Sequence, residues 1–380
     1  MPVRGISMLP PTVSNTEAIN LYKKSSEINR KLGRLNALLS KSIINTSLFE
    51  VLSFQESVQS TRIEGTQVTF TDLIDEVTKE KKSSEVQEVL NYKKALELGV
   101  DLIRAGNPIS SNLIKRVHST LMDGEARGTV SSRGQFRRIQ NYIGPEGCDE
   151  TNASYIPISA SEIGDYMTNF EYFVNNEHHS SFNLIEETDK HVFQEDDDPI
   201  IKTAIIHAQF ESIHPFLDGN GRTGRILIVL NILKDSLMDE PVFFVSEELE
   251  KERIRYYNAL NGVRGDHPDW FTWIEFFLNA CDRMASGLLE KLESIDSLAY
   301  RGMNLIREKE GSQGKLIDAW LNCIGDPFCT VKDMANRLNI SDGTARKYLN
   351  KLVDLKLIDV DKTKKRNLTY INYDLLRVIS

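Results

Sequence analysis

The most informative stretch of the chain is His214-Pro-Phe-Leu-Asp-Gly-Asn-Gly-Arg-Thr-Gly-Arg225. It follows residues 200–213, whose nonpolar side chains recur at helical spacing, and it precedes the apolar run 226–233. We therefore expect a loop that joins two buried helices. The loop brings together a histidine, a carboxylate, glycines and two arginines, a set suited to binding phosphate and moving a proton. We take this stretch as the candidate active site.

The glycines of this stretch admit several interpretations. Gly219, Gly221 and Gly224 have the spacing of a dinucleotide-binding loop, but that fingerprint requires a strand before it and a βαβ unit around it. The preceding residues 201–210 have helical spacing instead, so a Rossmann fold is disfavoured. An EF-hand also matches poorly, because the glutamate and alternating ligands that it requires are missing. We favour a phosphate site at a helix N-terminus, formed by the backbone N–H groups of Gly219, Asn220 and Gly221.

The charged side chains of the stretch fit the same chemistry. Arg222 and Arg225 are three residues apart, so both lie on one face of a helical turn and can clamp a polyphosphate. Asp218 is a natural ligand for Mg²⁺ beside phosphates. His214, with an ordinary pKa of about 6.5, can take a proton from an attacking hydroxyl. A single histidine before a proline is more often structural, and it is the surrounding motif that favours catalysis.

The composition is that of a soluble globular protein with two or three domains: 380 residues, 40% hydrophobic and 27% charged. No apolar run approaches the roughly 18 residues of a membrane span, and the N-terminus lacks a signal-peptide pattern, so we expect the cytoplasm. Four cysteines without C-x-x-C spacing disfavour a disulfide framework or a zinc site. The net charge is −9, yet the residues from Val331 onward carry 11 Lys and Arg against 6 Asp and Glu. That C-terminal region therefore differs electrostatically from the rest.

Helical periodicity dominates the chain, so we expect a mainly α fold. The predicted helices outside the motif include 17–42, 46–64, 84–105, 109–121, 163–174, 247–260 and 270–295. Thr69 is expected to begin a short further helix to about Glu80. The segment from Gly128 to Pro157 is predicted to be a loop region with a hairpin.

The C-terminal part follows the pattern of a winged helix, with three helices and two short strands that flank a basic turn. The likeliest linker before it is Glu308 to Gly314. We thus predict three domains: an N-terminal helical region at 1–83, a central domain at 84–300, and a winged helix at 312–380.

The motif His-Pro-Phe-x-Asp-Gly-Asn-Gly-Arg-x-x-Arg is similar to the signature of Fic domains, and the resemblance extends over about residues 84–280. It implies a helical bundle with a small β-hairpin flap that transfers AMP from Mg-ATP to a Ser, Thr or Tyr hydroxyl of a target protein or of itself. It also implies the site roles: a base (His214), a Mg²⁺ ligand (Asp218), an anion hole (Gly219, Asn220, Gly221) and phosphate binders (Arg222, Arg225).

The resemblance extends to weaker elements of the sequence. Gly134-Gln-Phe-Arg137 resembles a Gly-x-aromatic-Arg element of the family. The resemblance implies that Ser154, Tyr155 and Ile156 belong to the flap, which pairs with target backbone. It also implies an adenine pocket flanked by Tyr256 and Tyr257.

Ser60-x-x-x-Glu64-Gly65 resembles the inhibitory helix of the family. Taken alone, two polar residues one turn apart fit a surface or C-capping role equally well. Beside the motif, we expect Glu64 to pair with Arg225, occupy the γ-phosphate site and leave ATP in an unproductive pose. The alternative is that Glu64 activates water to remove AMP from modified targets.

The basic C-terminal region offers a different class of function, a DNA-binding regulator. Its candidate contacts to phosphates and the major groove are Gly343-Thr-Ala-Arg-Lys347, Lys362, Lys364, Lys365 and Arg366. A surplus of five positive charges is modest for a duplex reader, so a solvated or protein-docking module is the competing interpretation. A homodimer is a further expectation, based only on Lys- and Glu-rich helix ends.

Overall fold

The computed structural model describes residues 2–41, 45–68, 83–124, 132–145, 147–182, 189–311, 314–325, 327–360 and 368–379. The chain forms two compact units, one of Met1–Gly33 with Ser53–Ala285 and the other of Arg34–Leu52 with Ser286–Ser380. From Ser53 onward, the helix expected to be inhibitory therefore belongs to the same unit as the motif. Among the described residues, no helix has the length and apolarity to cross a membrane.

Helices dominate the described chain and the strands are short, so the mainly α fold class is confirmed. In chain order the elements are β1 (Val3–Arg4), β2 (Thr12–Ser14), α1 (Asn15–Lys41), α2 (Asn45–Ile63), α3 (Ser84–Arg104), α4 (Ser111–Leu121), β3 (Tyr155–Ile156), α5 (Ile163–Val174), β4 (Lys190–Val192), α6 (Pro199–Ile213), α7 (Asn220–Lys234), α8 (Ser246–Lys251), α9 (Arg253–Gly262), α10 (Trp270–Glu310), α11 (Gly314–Gly325), β5 (Phe328–Thr330), α12 (Val331–Leu338), α13 (Asp342–Asp354), β6 (Asp359–Val360), β7 (Thr369–Ile371) and α14 (Tyr373–Ile379).

Helices α6 and α7 form the centre of the first unit and pack against each other. The side chain of Asp198 caps α6 by accepting hydrogen bonds from the N–H groups of Ile200 and Ile201, and Pro199 occupies the first helical position. Every residue from 200 to 213 is buried, and α7 is nearly as buried. The motif therefore does lie in a loop between two buried helices.

Short strands tie distant segments to this core. Strand β1 pairs in parallel with β3, and β2 pairs antiparallel with β4. An antiparallel bridge between Ile143 and Tyr155 accounts for the predicted hairpin. The N-terminal segment is thereby fastened beside the flap region, an arrangement that the sequence did not predict.

In the second unit, helices α11, α12 and α13 accompany a three-stranded sheet of order β5-β7-β6. The three helices and two strands predicted for this region are present, with β5 as an additional strand, and the winged-helix assignment stays a prediction. Thr330 and Asp333 form a capping box that starts α12. The basic turn with Lys362 to Arg366 lies outside the described residues, as does the short helix predicted from Thr69.

Two helix predictions were wrong in their bounds. Helix α10 runs to Glu310 rather than to about 295, because buried Leu298 and Ile306 continue its apolar stripe, so the predicted linker begins inside a helix. The predicted helix 247–260 is broken at Glu252, whose backbone leaves the helical conformation while its carboxylate binds Arg283.

Candidate active site

Two left-handed residues bound the motif loop. His214 ends α6 with φ 51°, and Gly219 precedes α7 with φ 76°. A Cβ at position 219 would lie 2.9 Å from Met122 Sδ and 3.3 Å from His118 Nε2, so only glycine suits this turn. The loop thus reverses direction tightly and brings the ends of both helices to one place.

Polar side chains pin the loop backbone from within and from outside. The Asn220 amide accepts a hydrogen bond from Phe216 N at 2.9 Å and donates one to Phe216 O at 2.9 Å. Asn141 donates to the same carbonyl at 3.0 Å. The side chain of Asn220 is therefore committed to the loop, and only its backbone N–H remains for the anion hole predicted for Gly219, Asn220 and Gly221.

His118 of α4 is a site residue that sequence reasoning missed. Its ring stacks on Phe216 at 3.7 Å, and its Nδ1 accepts a hydrogen bond from Gly134 N at 2.9 Å. Nε2 must then carry the proton and donate to Asp218 O at 3.0 Å. Burial lowers the pKa of His118 to about 4, so the ring stays neutral and holds Asp218 in place.

A small cavity opens onto the N-terminus of α7. It has a volume of about 240 Å³ and is lined by His214, Leu217, Asp218, Gly219, Asn220, Gly221, Arg222, Glu64, Thr66 and Glu88. No side chain caps this helix end within the described chain. Its first N–H groups and the helix dipole therefore make the cavity a site for an anion.

Arg222 enters this cavity with unsatisfied donors. It is 4% exposed, yet its Nε and Nη1 atoms have no hydrogen-bond partner in the part of the chain that the structure describes. The nearest carboxylates, on Glu88 and Asp218, lie at 3.8 and 3.7 Å, beyond hydrogen-bonding distance. Buried donors without partners are costly, so this guanidinium is arranged to receive an anionic ligand.

His214 lines the same cavity and is held neutral. Burial lowers its pKa to about 3, and the guanidinium groups of Arg264 and Arg137 act in the same direction. Its Nδ1 lies 3.3 Å from Glu211 O, which favours the tautomer that leaves Nε2 as an acceptor. A neutral imidazole with a free acceptor nitrogen is the state that a general base requires.

Arg225, by contrast, is fully engaged by α2 and the residue that follows it. Its Nε donates to Ser60 Oγ at 2.7 Å, and its Nη2 donates to Ser60 O at 3.0 Å and Glu64 Oε1 at 2.6 Å. Burial opposes ionisation of Glu64, but the charge of Arg225 outweighs it and lowers the pKa of the carboxyl. The structure thus brings together the Ser60, Glu64 and Arg225 that the sequence pattern had linked.

The Glu64 carboxylate also lies against the backbone of α7. A Cβ at Gly221 would clash with Glu64 Oε1, so the carboxylate rests on the bare helix turn where an anion is expected. Because the Glu64 carboxylate fills part of this space, the cavity is smaller than the roughly 300–1,000 Å³ of typical ligand pockets.

Glu211, one turn before His214, is a further buried carboxyl that the sequence reading overlooked. Its Oε1 has no hydrogen-bond partner among the described residues and would clash with a Cβ at Gly224. Burial raises its pKa to about 7, although Arg225 opposes this. Glycine at position 224 leaves room for the Glu211 carboxyl and the His207 ring between α6 and α7.

The two tyrosines expected at adenine occupy different environments. Tyr256 is 1% exposed, and its hydroxyl bonds His207 Nε2 at 2.8 Å within an aromatic cluster that includes Trp273. Tyr257 is 39% exposed. Of the pair, only Tyr257 presents a ring on which a base can stack.

The expected flap residues have backbone partners inside the chain. Ser154 N and Tyr155 N both donate to Ile143 O, and Ser154 O accepts from Val3 N at 3.4 Å. On the other side Ile156 O accepts from the N–H of Gly5 at 3.0 Å. The strand at Tyr155 and Ile156 is thus paired on both edges by this chain.

The helices and the cavity at the N-terminus of α7 define a mainly α protein with a candidate phosphate site. Two family models match the sequence, Fic/DOC family at residues 108–232 and Fic/DOC family N-terminal at residues 22–101. Together they span more than half of the chain. This protein belongs to the Fic/DOC family.

Curated relatives share this family over part of their length. Proteins named protein adenylyltransferase Fic, from Drosophila virilis and Drosophila persimilis, are 26% identical over 276 residues, which is 65% of this chain and 48% and 46% of theirs. The chain spans about half the length of the curated relatives it matches.

A solved structure supports the fold. The crystal structure of a Fic family protein from Desulfovibrio desulfuricans G20 gives a TM-score of 0.56 at 19% identity, covering 96% of this chain and 98% of that one.

Proposed function

We propose that this protein transfers AMP from ATP to a hydroxyl side chain of a target protein. The observation that carries the proposal is a single cavity that holds neutral His214, the N-terminus of α7 and the Arg222 guanidinium. Among the described residues, no side chain caps this helix and two of the Arg222 donor atoms have no partner. The names of the curated relatives favour the same reaction.

In the proposed reaction, His214 accepts the proton of a Ser, Thr or Tyr hydroxyl as the oxygen attacks the α-phosphorus of ATP. The new O–P bond forms as the bond to the bridging oxygen breaks, and pyrophosphate leaves with the electron pair. The N–H groups at Asn220 and Gly221 and the Arg222 guanidinium stabilise the charge on the phosphates. Tyr257 is the proposed contact to adenine.

Asp218 is the residue that we propose to hold Mg²⁺. No cluster of three or more potential metal-ligating side chains occurs in the described ranges. Mg²⁺ does not need one, because it is bound by one or two carboxylates together with substrate phosphates. The Asp218 side chain is 44% exposed and faces the cavity, so it fits this role. The bound ion would neutralise phosphate charge.

We further propose that Glu64 keeps the activity low. Its carboxylate engages Arg225 and rests on Gly221, which are the groups that a nucleotide phosphate would use. An anion bound there must displace it or adopt another pose, so transfer is slow until the segment after α2 moves.

The test is label transfer to protein from ATP in the Glu64→Gly variant. We expect transfer from α-³²P-ATP but not from γ-³²P-ATP, at a rate at least tenfold above the parent protein. Gln67→Gly changes another exposed residue of the same segment, so it is the matched control and should not activate. In the Glu64→Gly background, His214→Ala should abolish transfer. An inactive Glu64→Gly variant with intact ATP binding would refute the proposal.

A second candidate reaction uses the same cavity. The Glu64 side chain is 36% exposed and lines the cavity with His214, so it is placed to activate a water molecule that removes AMP from a modified target. Incubating an AMP-modified protein with the parent protein distinguishes the two. Release of AMP that Glu64→Gln abolishes would favour removal over transfer.

DNA binding through the second unit stays a separate proposal, as does a homodimer. Arg346 and Lys347 of α13 are exposed and available to phosphates. Gel shifts with DNA at several salt concentrations test the DNA-binding proposal. Tight binding to one sequence would favour a regulator, whereas weak uniform binding would not.

A further inference from the structure

The C-terminus of helix α6 is covered by side-chain donors from three separate segments. Helices leave their last four carbonyl groups without partners, and His214 stands at this end of α6. Here Glu211 O accepts from Arg264 Nη2 at 3.2 Å, and Ser212 O accepts from the Tyr155 hydroxyl at 2.7 Å. These two carbonyls near the base therefore each have a side-chain donor.

Arg137 completes the cover. Its Nε donates to His214 O at 2.9 Å and its Nη2 lies 3.4 Å from Ile213 O. The same guanidinium donates to Ile139 O and Ile158 O, at 3.0 and 2.6 Å. The helix end is thus tied to the backbone on both sides of β3.

The covering groups also hold each other. The Arg264 guanidinium lies 3.9 Å from the centre of the Tyr155 ring, and its Nε donates to Ser212 Oγ at 3.0 Å. Arg137, Tyr155 and Arg264 are at most 8% exposed. Buried cation–π and charge-assisted contacts of this kind are stronger than exposed ones.

The arrangement counters an electrostatic difficulty. A helix C-terminus carries partial negative charge, which by itself favours a protonated histidine. Burial of the imidazole is the largest effect against that preference, and the two buried guanidiniums on the same carbonyls add to it, while Glu64 favours protonation. The base would otherwise sit where the imidazolium is stabilised, and a protonated imidazole cannot accept a proton.

We infer that Arg264 and Tyr155 are positioning residues for His214: together with Arg137 they fix the last turn of α6 and keep the imidazole in its proton-accepting state. The inference rests on the proposed transfer reaction for its kinetic consequence, but its physical content concerns only this chain. The effect of geometry on His214 can be separated from the effect of charge. Tyr155 contributes only a neutral hydrogen bond, whereas Arg264 contributes hydrogen bonds and a positive charge.

Kinetics in the Glu64→Gly background test the inference. Arg264→Gln should lower kcat about tenfold to a hundredfold with KM for ATP unchanged within about twofold, because the phosphate cradle is untouched. In this variant kcat should also fall as the pH is lowered from 7 to 5, a decrease that the parent does not show. Arg264→Lys keeps the positive charge but loses the planar guanidinium with its several donors, so kcat should fall without this pH dependence. Tyr155→Phe, the mildest change, should lower kcat a few fold at every pH.

Titration of the His214 imidazole by NMR tests the same inference without any activity. His214 should stay neutral above pH 5 in the otherwise unaltered protein and in Arg264→Lys, and it should titrate above pH 5 in Arg264→Gln. If Arg264→Gln leaves both this titration and kcat unchanged, or raises KM for ATP instead, the inference is overturned. Absence of transfer in every variant alongside the expected titration would count against the proposed reaction and uphold the role of Arg264 in setting the state of His214.

Discussion

At the scale of single residues, the buried carboxyl of Glu211 should make the free energy of unfolding depend on pH. Its ordinary pKa of about 4.5 rises to about 7 on burial, so its contribution to folding stability is fully present below pH 4.5 and is lost as the pH rises through 7. The loss amounts to about 3 kcal/mol. Glu211→Gln keeps the neutral form, so the variant should gain about that much stability relative to the parent between pH 4 and pH 8.

Chemical denaturation at several pH values measures this difference. A stability difference between Glu211→Gln and the parent that does not change from pH 4 to pH 8 would contradict the prediction. The residue matters beyond stability, because a charged Glu211 would add negative charge near Arg225 and so affect the affinity of that arginine for a phosphate.

At the scale of elements, α2 and the residue that follows it hold Arg225 through Ser60 and Glu64, which are one turn apart. Ser60→Ala removes the hydrogen bond from Arg225 Nε to Ser60 Oγ but leaves the carbonyl of Ser60 and the Glu64 carboxylate in place. A hydrogen bond to a charged group is worth about 1.5–3 kcal/mol. We expect transfer to rise by about tenfold, and to stay below the rate of Glu64→Gly.

Initial rates of label transfer measure this effect. Ser57→Ala is the matched control, since the Ser57 hydroxyl donates to Ser53 O of its own helix at 2.7 Å. Equal activation by both serine variants would show that the loss of helix stability, rather than the release of Arg225, raises the rate.

At the scale of the whole molecule, the N-terminal segment is a structural part of the first unit. Ile6, Leu9 and Val13 are buried, and the Asn169 side chain bonds both Leu9 N and Leu9 O at 2.9 Å. Each buried side chain of this size contributes about 1.5–3 kcal/mol, against a total stability of about 5–15 kcal/mol for a domain. Deleting residues 2–14 should therefore lower Tm by about 10 °C or more.

Thermal unfolding of the truncated chain checks this prediction. Leu9→Ala is the milder variant and should lose about 2–5 kcal/mol. An unchanged Tm in the truncated chain would mean that the contacts of β1 and β2 do not stabilise the unit.

Sequence reasoning predicted features that depend on residues close together in the chain. It missed contacts that form only when distant segments fold together. The pattern around His214–Arg225 was sufficient to predict a loop between two buried helices. The pairing of Glu64 with Arg225 was expected from the resemblance to the inhibitory helix of the family. His118 and Arg264 could not be found this way, since His118 lies on an ordinary helical segment and Arg264 lies in the turn after α9. Each acquires its role only when the fold brings it to the loop. A histidine at the apolar face of a predicted helix was the only available signal for His118.

Under the proposed function, the carboxylate of Glu64 acts as a tethered competitor of the nucleotide. An internal ligand acts at a high effective concentration that does not depend on how much protein is present. If the cradle were free about 1% of the time, productive ATP binding would be weakened about 100-fold, and anything that raised the free fraction would restore affinity in proportion. Under that proposal, the concentration of ATP at which the protein responds would be set by the opening of one short segment of chain. A partner that binds α2 can tune this response without touching the nucleotide.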